Sequence, residues 1–131
     1  MSALMLEPTG IKLAAAAALS ILTLLSGFWL SRTGKPYNTW FFNLHKLIAV
    51  AMIVLLVIGV FNLVQSVELQ TVLVAVAMGM GALLFLALVI SGAMLSLDVY
   101  PRISLKVHRI APLLALAASA FTVFMLVGYR V

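Results

Sequence analysis

Residues 40–64 read WFFNLHKLIAVAMIVLLVIGVFNLV, an apolar run of 25 residues with few polar interruptions. A helix rises 1.5 Å per residue, so about 20 apolar residues cross a hydrocarbon core of about 30 Å. The run therefore predicts a transmembrane helix. It also contains His45, and an imidazole inside an apolar segment costs free energy unless a partner holds it.

Three further apolar segments accompany this one, so that the predicted spans cover residues 11–30, 40–64, 68–97 and 103–127. Of the 131 residues, 66% are hydrophobic and only 8% are charged, a composition that requires lipid as the solvent. Backbone groups in lipid must pair within their own segment, which predicts helices. Short links make successive helices antiparallel. We therefore predict one all-α domain over residues 1–131, an up-down bundle of four transmembrane helices.

Composition also excludes several classes of function. The chain has no cysteine, which removes disulfides, thiolate metal sites, iron–sulfur clusters and thiol nucleophiles. No nucleophile–base pair or phosphate-binding loop is present, which argues against hydrolytic chemistry. Residues 1–30 lack the features of a cleaved signal peptide, and we expect this segment to be retained.

The basic residues predict the orientation of the helices. The net charge of +5 comes from residues at the ends of the spans, so it indicates topology and not binding to nucleic acid. One side of the membrane holds six basic residues against Asp98, and the other holds two. We expect the larger loops in the cytoplasm, both termini outside, and a prokaryotic inner or plasma membrane. The six basic residues are Arg32, Lys35, Lys46, Arg102, Lys106 and Arg109.

Two stretches of the chain resemble each other. LLSGFWLS at 24–31 matches VISGAMLS at 89–96, and NLHKLIA at 43–49 matches KVHRIAP at 106–112. The matches involve the rare polar residues and not the abundant leucines. The sequence therefore predicts two repeated helix hairpins, each with Ser-Gly on its first helix and His-basic on its second.

The repeat sets the two histidines of the chain, His45 and His108, at matched depth, roughly 7–9 Å from the loop-side ends of their helices. In an up-down bundle these helices are diagonal, and two inward imidazoles can share one metal ion. A bare transition metal needs more than two protein ligands, whereas a porphyrin supplies four of its own. The pattern therefore predicts one six-coordinate haem.

Residues around the histidines fit this hypothesis. The glycines would let the flat macrocycle approach the backbone, the basic residues would neutralise its propionates, and the serines or nearby carbonyls would accept the second imidazole N–H. With the two histidines as metal ligands, the candidate cofactor-binding residues are Gly27, Gly92, Lys46, Arg109, Ser26 and Ser91.

Paired histidines, flanking glycines and basic edge residues resemble the small four-helix transmembrane b-type cytochromes, including the b561-like and ferric-reductase-like helix bundles. The resemblance implies a haem b electron carrier, in contact with the quinone pool or a soluble donor and a partner protein. Such carriers typically stack two haems on four histidines, and this chain has two histidines. We therefore expect electron transfer near the cytoplasmic face by an electron carrier, not an independent enzyme.

Other functions are compatible with the same sequence. The chain could be a cofactor-free accessory or assembly subunit, since that role needs only helix-packing surfaces. The histidines could instead hydrogen-bond a quinone carbonyl. Expected partners are other membrane subunits or a second copy of the chain, and anionic lipids, with quinone as a further candidate.

Overall fold

The computed structural model describes residues 7–65 and 72–130, with side chains as far as Gly128, and the regular structure of these residues is helical. Four helices follow one another within them: α1 (Pro8–Thr33), α2 (Thr39–Gln65), α3 (Val72–Ser96) and α4 (Pro101–Arg130). Each is long and apolar enough to cross a membrane. The predicted all-α class with four membrane-length helices is confirmed, and the chain is an integral membrane protein by these criteria.

The helices form two compact hairpins. The first hairpin contains α1 and α2, and the second contains α3 and α4. Leu13, near the start of α1, lies against Gly59, near the end of α2, so the two helices are antiparallel. The second hairpin turns within residues 97–100. Each hairpin is described by itself below.

The helices extend beyond the apolar segments that predicted them. α1 covers residues 8–33 where 11–30 was predicted, and α4 begins at Pro101 where 103 was predicted. Hydropathy detects only the part of a helix that lies in hydrocarbon, whereas the hydrogen-bonded backbone continues into polar residues. Proline suits the first turn, where its missing N–H has no helical partner. The predicted start at residue 68 lies outside the described residues, and α3 ends at Ser96, one residue before the predicted end.

Local signals end one helix and begin the next in the first hairpin. Gly34 has a φ of 68° and donates its N–H to the Leu30 carbonyl, at 3.3 Å, so glycine suits the C-terminal end of α1. The Asn38 side-chain oxygen accepts the N–H groups of Trp40 and Phe41, at 3.1 and 3.2 Å. Asn38 thus caps the N-terminus of α2.

Much of the apolar surface of the helices is exposed. Leu47, Leu83 and Phe124 are 68%, 63% and 75% exposed, and all four helices carry similar side chains. In water such a surface would drive aggregation, but lipid tails solvate it. The few buried side chains inside each hairpin therefore determine which helix faces pack together.

The contact between Gly59 and Leu13 gives a stability prediction for the first hairpin. A Cβ at residue 59 would lie 2.7 Å from Leu13 Cδ2. We expect Gly59→Leu to destabilise the protein by about 1–3 kcal/mol, since Leu13 must leave its site. Thermal unfolding in detergent measures this effect. Gly79→Leu is the control, because no atom lies within 4 Å of a Cβ at residue 79. Equal unfolding temperatures for the two variants would contradict the packing described here.

Candidate functional site

In the first hairpin, α1 and α2 meet at a serine–histidine pair. Ser26 Oγ lies 2.7 Å from His45 Nδ1, and both residues are partly buried. The same hydroxyl donates to the backbone carbonyl of Thr23, at 3.0 Å. His45 is therefore tied through Ser26 to a carbonyl on the neighbouring helix.

The second hairpin repeats this arrangement on α3 and α4. Ser91 Oγ lies 3.0 Å from His108 Nδ1 and donates to the Leu88 carbonyl at 3.1 Å. Ser91 is buried and His108 is partly buried.

When the serine hydroxyl donates to its carbonyl partner, one protonation form of each ring follows. A serine hydroxyl has a single proton, and in both hairpins that proton goes to the carbonyl three residues earlier. The oxygen then accepts a hydrogen bond from Nδ1–H of the histidine. In a neutral imidazole with its proton on Nδ1, the lone pair is on Nε2.

The two candidate glycines lie against the imidazole rings. A Cβ at Gly27 would be 3.1 Å from Cε1 of His45, and a Cβ at Gly92 would be 3.2 Å from Cε1 of His108. A Cβ at either position would require the ring to shift by a few tenths of an ångström. From the sequence, these glycines were predicted to contact a macrocycle, and their contact with the imidazole rings was not predicted. The Ser-Gly pairs are thus parts of two histidine seats, each made of one serine, one glycine and one histidine.

The repeat extends to the buried residues of each hairpin. Adding 63 to a residue number in α2 gives the equivalent position in α4. Leu63 thus corresponds to Leu126, and both are 0% exposed. Between α1 and α3 the offset is 65, so that Ser26-Gly27 corresponds to Ser91-Gly92. Further buried pairs at these offsets are Met52 with Ala115, Gly59 with Thr122, and Ala16 with Gly81. Both hairpins therefore use the same positions for packing and for the histidine seat.

The two basic candidates lie beside the seats and face outward. Lys46 is exposed, and its Nζ lies 4.2 Å from the centroid of the Phe42 ring, in a cation–π contact on the same helix. Arg109 is exposed on α4. Their assignment to propionates stays a prediction.

An open groove of about 300 Å³ lies at the loop end of the first hairpin, a feature that the sequence did not indicate. This volume is at the lower end of the range for small-molecule sites. Two of its lining residues are near the first histidine seat in sequence. Phe41 precedes His45 by four residues, and Trp29 follows Gly27 by two. The lining residues are Trp29, Leu30, Thr33, Pro36, Asn38 and Phe41.

Within residues 7–65 and 72–130, the structure contains no cluster of three or more His, Asp or Glu side chains that could hold a metal ion. A metal bound by protein side chains alone would need such a cluster. Comparison of the chain with protein-family models, with curated proteins and with solved structures gives no match.

Proposed function

We propose that this protein is a membrane b-type cytochrome in which His45 and His108 are the axial ligands of one haem. The observation that carries the proposal is the duplicated seat, in which a serine holds Nδ1 and a glycine makes room for the ring. Histidines that bind metals usually donate their second ring N–H to an oxygen acceptor, which fixes the ring and raises its basicity. Both histidines have such an acceptor.

The set of available ligands favours haem over a bare ion. The described residues offer isolated imidazoles and no larger ligand cluster. A porphyrin supplies four nitrogen ligands, so two imidazoles complete six-coordinate iron. When bound, the haem would supply one-electron exchange at its iron.

The side chains of this protein would hold and orient the group. Ser26 and Ser91 keep the proton of each imidazole on Nδ1, and Gly27 and Gly92 fix the ring position. Lys46 and Arg109 would neutralise the propionates, since charge-assisted pairs favour carboxylates near a membrane surface. The electron would pass between the quinone pool or a soluble donor and a partner protein, near the cytoplasmic face that the basic residues predict.

The first test is the haem content of the purified protein. We expect a dithionite-reduced spectrum with a sharp α-band, and one haem per chain by pyridine haemochromogen assay. A protein that stays colourless after haem addition would exclude the cytochrome. It would favour a cofactor-free accessory subunit, for which the exposed apolar surface provides packing area, or a quinone-binding subunit, for which the groove of the first hairpin is the candidate site.

The two serines of the seats give a prediction for which the chain offers a control serine. We expect Ser26→Ala and Ser91→Ala to weaken haem affinity by about 10–100-fold, because each loses the acceptor that orients its histidine. Haem titration of the apoprotein measures the change. Ser20→Ala is the control in α1, because the Ser20 hydroxyl bonds only its own helix, at the Ala16 carbonyl, among the hydrogen bonds described. If all three variants bind haem as the wild type does, the serines do not position the ligands.

A further inference from the structure

The basic residues of α4 lie on one stripe of the helix. Arg102, Lys106 and Arg109 are spaced by four and three residues, and all three are exposed. At 3.6 residues per turn they fall within an arc of about 60°. Their side chains therefore form a column along the helix, starting in its first turn.

This column lies opposite the packed face of the helix. The centre of the buried face is roughly 160° from the column at 3.6 residues per turn. The column therefore points away from α3, against which this face packs. The buried residues are Ser104, Ala111, Ala115, Thr122 and Leu126.

Apolar side chains continue the column deeper into the span. Leu113 is 61% exposed, and Leu116, about one turn further along the helix, is 40% exposed. We call the whole surface the α4 ridge. It has cations at the membrane surface and apolar side chains below them, in the same order as the charged head and acyl chain of a phospholipid. The α4 ridge consists of Arg102, Lys106, Arg109, Leu113 and Leu116.

The repeat shows that this surface belongs to one hairpin. At an offset of 63 residues the equivalents of the three cations are Thr39, Asn43 and Lys46, so α2 has one cation where α4 has three. The positive-inside rule requires basic residues near cytoplasmic loops, but it does not require them on one stripe. In the first hairpin, the cations Arg32 and Lys35 lie on α1 and the link.

We propose that the α4 ridge binds an anionic phospholipid, with its phosphate on the three cations and an acyl chain along the apolar residues. Arg109 lies seven residues after Arg102, about 10 Å deeper along the helix, and its long side chain reaches back to the headgroup level. Leu113 and Leu116 lie about 6–10 Å beyond Arg109, within the depth of one leaflet. A soluble acidic partner would pair with the cations but would not extend to the leucines below them. A phospholipid matches both parts of the ridge.

The test measures lipid preference in the purified, delipidated full-length protein. We expect phosphatidylglycerol to raise the thermal unfolding temperature more than phosphatidylcholine does. Arg102→Gln/Lys106→Gln should lose most of this preference and bind phosphatidylglycerol roughly 10- to 30-fold more weakly by native mass spectrometry. The control is Arg32→Gln/Lys35→Gln, which removes the same charge from the same predicted side of the membrane and should keep the preference.

The variants leave Arg109 unchanged, so the outcome does not depend on whether this residue also meets a haem propionate. Haem content should be the same in both double variants, which separates this proposal from the cytochrome proposal. Equal responses to the two lipids, or equal losses in the two double variants, would overturn the lipid site. The basic residues would then serve topology or a soluble acidic partner.

Discussion

Replacement of either histidine by alanine should leave a folded protein without haem. Both axial ligands are needed for tight low-spin binding, and loss of a ligand should exceed the 10–100-fold effects typical of residues that only support one. We therefore expect His45→Ala and His108→Ala each to reduce the haem content of the purified protein by more than about 10-fold. Circular dichroism should show wild-type helicity, since helices in lipid depend on their own backbone hydrogen bonds.

The control for this experiment is Asn43→Ala, a polar and exposed position two residues before His45 on the same helix. It should keep wild-type haem. Retention of haem in one histidine variant would contradict bis-histidine ligation and indicate a single protein ligand. Loss of helicity in the histidine variants would show a structural role instead, and haem content would then be compared in His45→Gln and His108→Gln.

The second large effect is expected at the glycines of the seats. A leucine at residue 92 would place its Cβ 3.2 Å from Cε1 and 3.6 Å from Nδ1 of His108, and its longer side chain adds to this crowding. The imidazole must move, and overpacking of this kind costs about 1–3 kcal/mol in addition to the displaced ligand. We expect Gly92→Leu to lose at least about 10-fold in haem affinity, as measured by titration of the apoprotein. Gly27→Leu should behave in the same way.

Gly79→Leu is the matched control, because Gly79 lies on the same helix and has open space around a new Cβ. It adds the same side chain to α3 without touching a histidine. If Gly92→Leu and Gly79→Leu bind haem equally well, the ring position seen in the structure is not the position that binds the ligand.

Hydropathy was sufficient to predict the four helices because a lipid-soluble helix must be long and apolar, and both properties are visible in the sequence. The exact ends of the helices were not visible in the sequence. The starts at Pro8 and Pro101 and the cap at Asn38 depend on backbone hydrogen bonds outside the hydrocarbon. The contact between Gly59 and Leu13 was missed for a different reason. Every face of α1 and α2 is apolar, so periodicity does not reveal which side packs.

The seats were partly predictable because polar residues are rare in these helices. The matched Ser-Gly and His-basic pairs indicated which side chains belong together, and the structure places each serine on the Nδ1 atom of its histidine. The ring contact of the glycines depends on helix rotation and distance, which spacing along the chain does not contain. The hydrogen bonds from the serine hydroxyls to the Thr23 and Leu88 carbonyls likewise depend on side-chain rotamers, which the sequence does not show.

In the proposed cytochrome, both histidines bind the same iron. Electron paramagnetic resonance of the oxidised, haem-loaded protein tests it most directly, because two axial imidazoles make ferric haem low-spin, whereas one leaves it high-spin. We predict a low-spin signal in the wild type that is absent in both His45→Ala and His108→Ala. A high-spin signal in the wild type, or a low-spin signal that survives either substitution, would contradict the account.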